Sequence, residues 1–237
     1  MNLKEVISQS DMVLIGIGED FQDNFELVEV QDEKNITIFE EYRRKKYIDG
    51  ISVDRTIEAY NGLAKLLEGK NYFVVTLCND DKIFNSNLNS DRIVAPCGTY
   101  SVLQCEEVCT NDFYPAEAYE DKLKAGEAPL CPKCGKPLVM NRVGCKKYSE
   151  EWYLGKWNLY MKWLQGTLNK NMCVLELGVG MKYPSVIRWP FEKVAFINQK
   201  AKFIRVHESL YHLTQEVSEK GISVRENPID FLLNEIV

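Results

Sequence analysis

The order of apolar and polar positions along the chain changes period several times. Residues 3–9 read as a short helix ending before Asp11. Met12-Val13-Leu14-Ile15 is a continuous apolar run bounded by Gly16 and Gly18, the pattern of a strand buried on both faces. Residues 36–48 and 53–68 are charged, with apolar side chains at helical intervals (Ile57, Tyr60, Leu63, Leu67) and Gly69 as a stop. Tyr72–Thr76 predicts a second buried strand and Arg92–Ala95 a short third. The character shifts over 97–150, where cysteines and prolines gather. Helical spacing returns at 151–168, with Leu154, Trp157, Met161, Leu164 and Leu168 on one face. Cys173–Leu177, Val194–Asn198 and Phe203–Val206 predict three more strands, and 208–220 a final surface helix. Strands alternating with helices imply an α/β chain: a Rossmann-like, doubly wound parallel sheet. We assign residues 1–96 and 151–237 to that large domain and 97–150 to an inserted small one.

Composition narrows the function classes. The chain has 237 residues, 45% of them hydrophobic and 27% charged, as expected of a globular protein with its own core. A net charge of −6 disfavours nucleic acid as a partner, since phosphate binding needs a basic face. Its longest apolar runs are seven residues, far short of a membrane span, and no apolar signal region opens the chain. A cytoplasmic location is the expectation.

Eight cysteines occur, none in the first 77 residues. Cys105-x3-Cys109 and Cys131-x2-Cys134 form two close pairs. Each pair can present two thiolates from a tight turn, and together they complete a tetrahedral zinc site. Four sulfur ligands leave no open position, so the zinc would be structural. Free or redox-active thiols are the alternative.

Glycines mark two strand ends, Gly16-Ile17-Gly18 and Gly178-Val179-Gly180. Such ends let a backbone approach a phosphate, or simply turn the chain. Asn198 could hydrogen-bond a ribose or serve a turn. Thr76-Leu77-Cys78-Asn79-Asp80-Asp81 follows a strand, and its polar groups could bind a ligand or cap a helix. The only histidines, His207 and His212, read as structural or solvated; a histidine base in the centre of the chain is excluded.

Taken in order, these motifs resemble the sirtuins, NAD-dependent deacylases and ADP-ribosyltransferases, and within them the class M branch linked to macrodomain proteins. The segments APCGTYSVLQCEEVC, CPKCGKPLVMNR and LELGVGMKYPSVIRWPF carry the likeness. The resemblance implies NAD bound between a large domain and a zinc-ribbon domain. Gly16, Ile17 and Gly18 fall on the first cofactor loop. Thr76, Cys78 and Asp80 fall on the motif T-Q-N-x-D, with Asn79 one place beyond its asparagine. Cys97-Gly98 falls on the H-G pair of deacylases, Gly178–Gly180 on the phosphate loop, and Asn198 on the ribose-contacting asparagine. Cys105, Cys109, Cys131 and Cys134 fall on the zinc ligands.

The departures carry chemistry. The first loop reads GIGEDF, so Glu19 and Asp20 bring negative charge toward an expected pyrophosphate. Cys97 replaces the histidine base, and a thiol with a pKa near 8.5 is mostly protonated at neutral pH. Losing such a base costs about 10²–10⁴ in rate, which argues against efficient deacylation. Protein ADP-ribosyl transfer is the expected reaction, with Asn79, Asp80 and Cys97 as its catalytic set. The resemblance implies an acceptor protein, of lipoyl-carrier type, and a macrodomain partner. The alternative is a non-catalytic module that binds NAD, ADP-ribose or a partner; a thiol redox sensor built on Cys78 and Cys97 is a third.

Overall fold

A computed structural model describes residues 2–21, 37–50 and 54–236. In chain order it contains α1 (Leu3–Ser8), β1 (Met12–Ile17), α2 (Ile38–Asp49), α3 (Arg55–Leu66), β2 (Asn71–Thr76), β3 (Ile93–Val94), β4 (Gly98–Cys105) and β5 (Tyr114–Pro115). These are followed by α4 (Glu120–Ala125), β6 (Leu138–Arg142), α5 (Glu151–Gln165), β7 (Met172–Leu177), α6 (Arg188–Ile197), β8 (Ala201–Val206), β9 (Gly221–Val224) and α7 (Pro228–Ile236). The chain folds as a Rossmann-like six-stranded sheet, order β3-β2-β1-β7-β8-β9, with every pair parallel.

The continuous apolar runs are the central strands, since β1 and β7 are buried along their whole length. One face packs side chains of α1, α3 and α7 (Leu3, Ile7, Tyr60, Leu63, Phe231). The other packs α5 and α6 (Tyr160, Phe191, Ala195). Caps set the ends of the early helices. Thr37 and Glu40 form a reciprocal capping box on α2, and Asp54 accepts the first N–H groups of α3. The aromatic side chains of α5 are core: Trp157 and Tyr160 lie with ring centroids 5.3 Å apart, and Phe73 of β2 lies 5.4 Å from Tyr160. The buried face is therefore this aromatic one, while Leu154, Met161 and Leu168 are exposed.

Two expectations fail near the carboxyl end. Val194–Asn198 is not a strand but the last turn of α6, with Asn198 as its C-cap. The buried positions are Ile187, Phe191 and Ala195, four apart, whereas Phe196 and Ile197 are 47% and 53% exposed. The apolar run was one stripe of a helix continued onto its solvent side. Residues 208–220 form turns rather than a helix. Side chains take the backbone groups a helix would have used: Nδ1 of His207 accepts the N–H groups of Ser209 and Leu210, and Arg205 donates to the carbonyl of His212. The segment returns the chain to β9 on the sheet edge and then to α7, neither of which periodicity announced.

A second, antiparallel sheet has the order β5-β4-β6. Tyr100, Leu103, Leu138 and Met140 build its core, and α2 adds Tyr42. Arg142 of β6 and Glu41 of α2 form an ion pair, each 5% exposed. Among the described residues no helix is long and apolar enough to cross a membrane.

Candidate active site

Register places the cleft. Ile17 of β1 pairs with Thr76 of β2 and with Leu177 of β7, so the three strands end level. The loops that follow emerge together on one side, where the sheet order reverses direction along the chain, the usual ligand crevice of such sheets. A cleft of about 330 Å³ opens there toward the small sheet. Glu19 and Asp20 reach it from β1, Asn79 and Asp80 from β2, Lys182 and Tyr183 from beyond β7. Cys97, Tyr100 and Arg142 close it from the other side.

The loop after β2 is held by its own side chains. Thr76 Oγ1 accepts the N–H of Cys78 at 3.1 Å, and the carbonyl of Asn79 accepts the N–H of Tyr100 at 3.1 Å. Asp80 is buried, and burial raises its carboxyl to about 6, although the N–H of Lys82 partly offsets this. Asp81 sits in the left-handed region at φ 64°, and its carboxylate accepts hydroxyl hydrogens from Thr99 and Ser101 of β4. That clamp ties the loop to the small sheet. It was not legible in sequence, because the partners lie about 20 residues away and pair only once the sheets meet.

The cysteines divide by environment. The thiol of Cys97 lines the cleft, yet burial pushes it up to about 12, with the Glu19 carboxylate adding to the shift. Such a thiol is neither base nor nucleophile at neutral pH. A maleimide should therefore label Cys97 at least about a hundredfold more slowly than a free cysteine; labelling at the free rate would contradict this assignment. The Cys78 thiol turns away from the cleft and donates to the carbonyl of Gly18 at 3.2 Å. The two thiols lie in different hydrophobic clusters, against the paired redox sensor considered above.

Other expected cofactor contacts are displaced. Gly16 lies within β1, where a Cβ would meet Ile187 at 2.5 Å, and the side chain of Ile17 is buried in the core. Gly18 is where the loops touch: a Cβ there would come within 2.0 Å of the Gly178 carbonyl oxygen. Gly178 has φ 62°, which favours glycine. Val179 is buried, and its carbonyl accepts from Arg188 at 2.8 Å. Asn198 lies at the opposite end of the sheet. It precedes β8, whose first residue pairs with the first residue of β7, and its Nδ2 donates to the carbonyls of Thr167 and Lys170. The residue that does follow β8 at the cleft end is His207. Its Nδ1 accepts two backbone N–H groups, which puts the proton of the neutral ring on Nε2. Nε2 lies 2.9 Å from Asp20 Oδ2 but off the line of a good hydrogen bond. Burial lowers the His207 pKa and raises that of Asp20, both away from the charged form. His212 is exposed and stacks on Tyr211.

Cys105, Cys109, Cys131 and Cys134 bring their sulfurs within 4.8 Å of one another, with two separations of 3.5 and 3.6 Å. Zinc–sulfur bonds of about 2.3 Å imply tetrahedral edges of about 3.8 Å, so the donor set fits a structural zinc. The spacing had already identified these four.

No family model matches the chain. Its fold, however, has close counterparts. Sir2Tm bound to a propionylated peptide superposes with a TM-score of 0.63 over 99% of this chain and 97% of that one, at 16% identity. A Sir2–p53 peptide–NAD+ complex gives 0.65 over 98% and 95%, also at 16% identity. The chain has the sirtuin fold. The small sheet with its cysteine cluster and the cleft at the strand ends are thus parts of one known architecture. In sequence, this sirtuin-fold chain is 23% identical over a 263-position alignment to a protein ADP-ribosyltransferase of Staphylococcus aureus. The alignment covers 95% of this chain and 83% of that relative. A probable bifunctional ADP-ribose hydrolase/ADP-ribosyltransferase of Fusarium oxysporum f. sp. cubense is 30% identical over 155 positions, 58% of this chain and 26% of that protein.

Proposed function

We propose that the chain is an NAD-dependent protein ADP-ribosyltransferase. One observation supports the choice of transfer over deacylation: Cys97, which the resemblance sets where deacylases carry their histidine base, is a buried thiol whose pKa burial raises. The likeness to an ADP-ribosyltransferase over 95% of this chain supports it. NAD would supply the ADP-ribosyl group, nicotinamide departing as an acceptor side chain bonds to the same ribose carbon. Asp80 and Asn79 orient the nicotinamide end of the cleft, and the loops after β1 and β7 hold the diphosphate. The zinc site, in a module we place at 97–150, serves the fold and takes no part in chemistry. The peptides bound to sirtuin-fold neighbours support a protein acceptor. A lipoyl-carrier-type acceptor, a macrodomain partner and a cytoplasmic setting are our working assignment. The class M branch is part of this proposal.

The test is transfer of labelled ADP-ribose to a carrier protein by zinc-loaded enzyme. Asp80→Ala should lower the rate about a hundredfold, the cost of a misplaced reacting group. Because the folded Asp80 keeps its proton until about pH 6, transfer should fall as the pH drops through that value. Asp80→Asn should abolish that limb of the profile. Cys97→Ser should keep transfer within about threefold, since no proton transfer runs through the thiol. No nicotinamide release with any acceptor would leave the second reading, an NAD- or ADP-ribose-binding module. One feature of the cleft favours that reading: an acidic side chain on the phosphate loop.

A further inference from the structure

Glu19 follows Gly18 at the end of β1, but its carboxylate does not lie out in solvent. It crosses to the loop beyond β7, where Oε1 accepts the N–H of Lys182 at 2.9 Å. A Cβ built on Gly180 would lie 2.6 Å from that oxygen and 3.1 Å from Cδ. The carboxylate therefore lies directly over Gly180. Its other oxygen, Oε2, is buried and has no hydrogen-bond partner among the described residues. A carboxylate that accepts a backbone N–H from a glycine turn at the end of a buried parallel strand is held as such turns hold phosphate oxygens. Here the anion belongs to the chain itself.

We propose that Glu19 is a built-in competitor for the diphosphate of the dinucleotide, and so a determinant of cofactor affinity. The proposal rests on reading Gly178–Gly180 as the phosphate loop. A diphosphate entering the cleft meets Glu19 over the same backbone, and two anions so close repel. The ligand binds by displacing the side chain. Displacement is feasible because, among the described residues, one hydrogen bond holds the carboxylate, and its buried second oxygen gains water on leaving. The loop thus stays ordered and filled without ligand, and the dinucleotide binds more weakly than the same cleft would allow.

Calorimetric titration of NAD, and separately of inorganic pyrophosphate, into the full zinc-loaded chain tests this. Wild type is compared with Glu19→Gln and Glu19→Ala. Glutamine keeps the shape and can still accept the Lys182 N–H, but it removes the charge. Alanine removes both. Both variants should bind NAD and pyrophosphate about tenfold more tightly than wild type, with the gain shrinking at high salt. Equal or weaker binding by both variants, with wild type binding NAD, would overturn the role of Glu19 and leave the proposed activity standing. Absence of binding by all three at millimolar ligand would overturn both. A thermal melt of each variant shows that the comparison is between folded proteins.

Discussion

Stripping the zinc should open the small sheet while leaving the six-stranded sheet folded. Four thiolates within 4.8 Å of one another repel unless a cation or protons neutralise them. Structural zinc in such modules contributes an apparent binding energy of about 10–16 kcal/mol. The core it supports is small: Leu103, Leu138 and Met140, with Tyr100 and Tyr42 beside them, form a cluster separate from those flanking the main sheet. A strong chelator, or Cys131→Ser, should release one equivalent of zinc and make 98–142 sensitive to protease, while β1, β2 and β7 stay protected. Transfer activity should go with it, since Tyr100 and Arg142 line the cleft. A zinc-free chain, verified by metal analysis, that resists protease across 98–142 would show that the cysteines hold no structural metal.

The second large effect lies in the strands beneath the cleft. Arg205 of β8 is 1% exposed, and it joins Glu176 of β7 at 2.7 Å to Glu192 of α6 at 2.8 Å. Replacing it with leucine leaves two carboxylates buried without their cation, at a cost of about 3–5 kcal/mol. For a chain of this size that lowers the melting temperature by about 6–20 °C. The loss should depend on pH. Burial raises the Glu176 carboxyl to about 7, partly offset by Arg205. Between the ordinary carboxylate range and about 7, the folded chain holds a proton that the unfolded chain has released. This contribution to stability is therefore present at low pH and lost as the pH rises through 7. Removing Arg205 pushes the carboxyl higher still, so Arg205→Leu should be mild at pH 5 and severe at pH 8.5. Equal losses at both pH values would mean that the ion pairs are not what the leucine removes.

Much of this was legible along the chain, for local reasons. Met12–Ile15, Tyr72–Val75 and Cys173–Leu175 are apolar without interruption, the pattern of a strand buried on both faces. The cluster of four cysteines was legible because two close pairs, each within one short turn, can present their thiols to one metal. Asn79 and Asp80 line the cleft because a residue just after a buried parallel strand emerges at its carboxyl end. Asn198 was misplaced for the complementary reason. Val194–Ile197 is as apolar as a strand, and period four separates from period two only when the buried partners Ile187 and Phe191 are counted with it. With α6 ending at Ile197, β8 begins at Ala201, and its far end brings His207 to the cleft end of the sheet instead, behind Asp20.

What lies beyond local pattern is the meeting of distant side chains. Glu41 finds Arg142 across about 100 residues, Asp81 finds Thr99 and Ser101, and Glu19 finds the backbone of Lys182. The pattern of the chain determined which segments become buried strands, which cysteines gather, and that no histidine could stand near residue 97. Periodicity and spacing act over a few residues, and those properties need no more. Tertiary structure alone decided that burial raises the Cys97 thiol further, that Cys78 turns from the cleft, and that the Glu19 carboxylate covers Gly180. Each depends on burial and on charges brought close by the packing of two sheets.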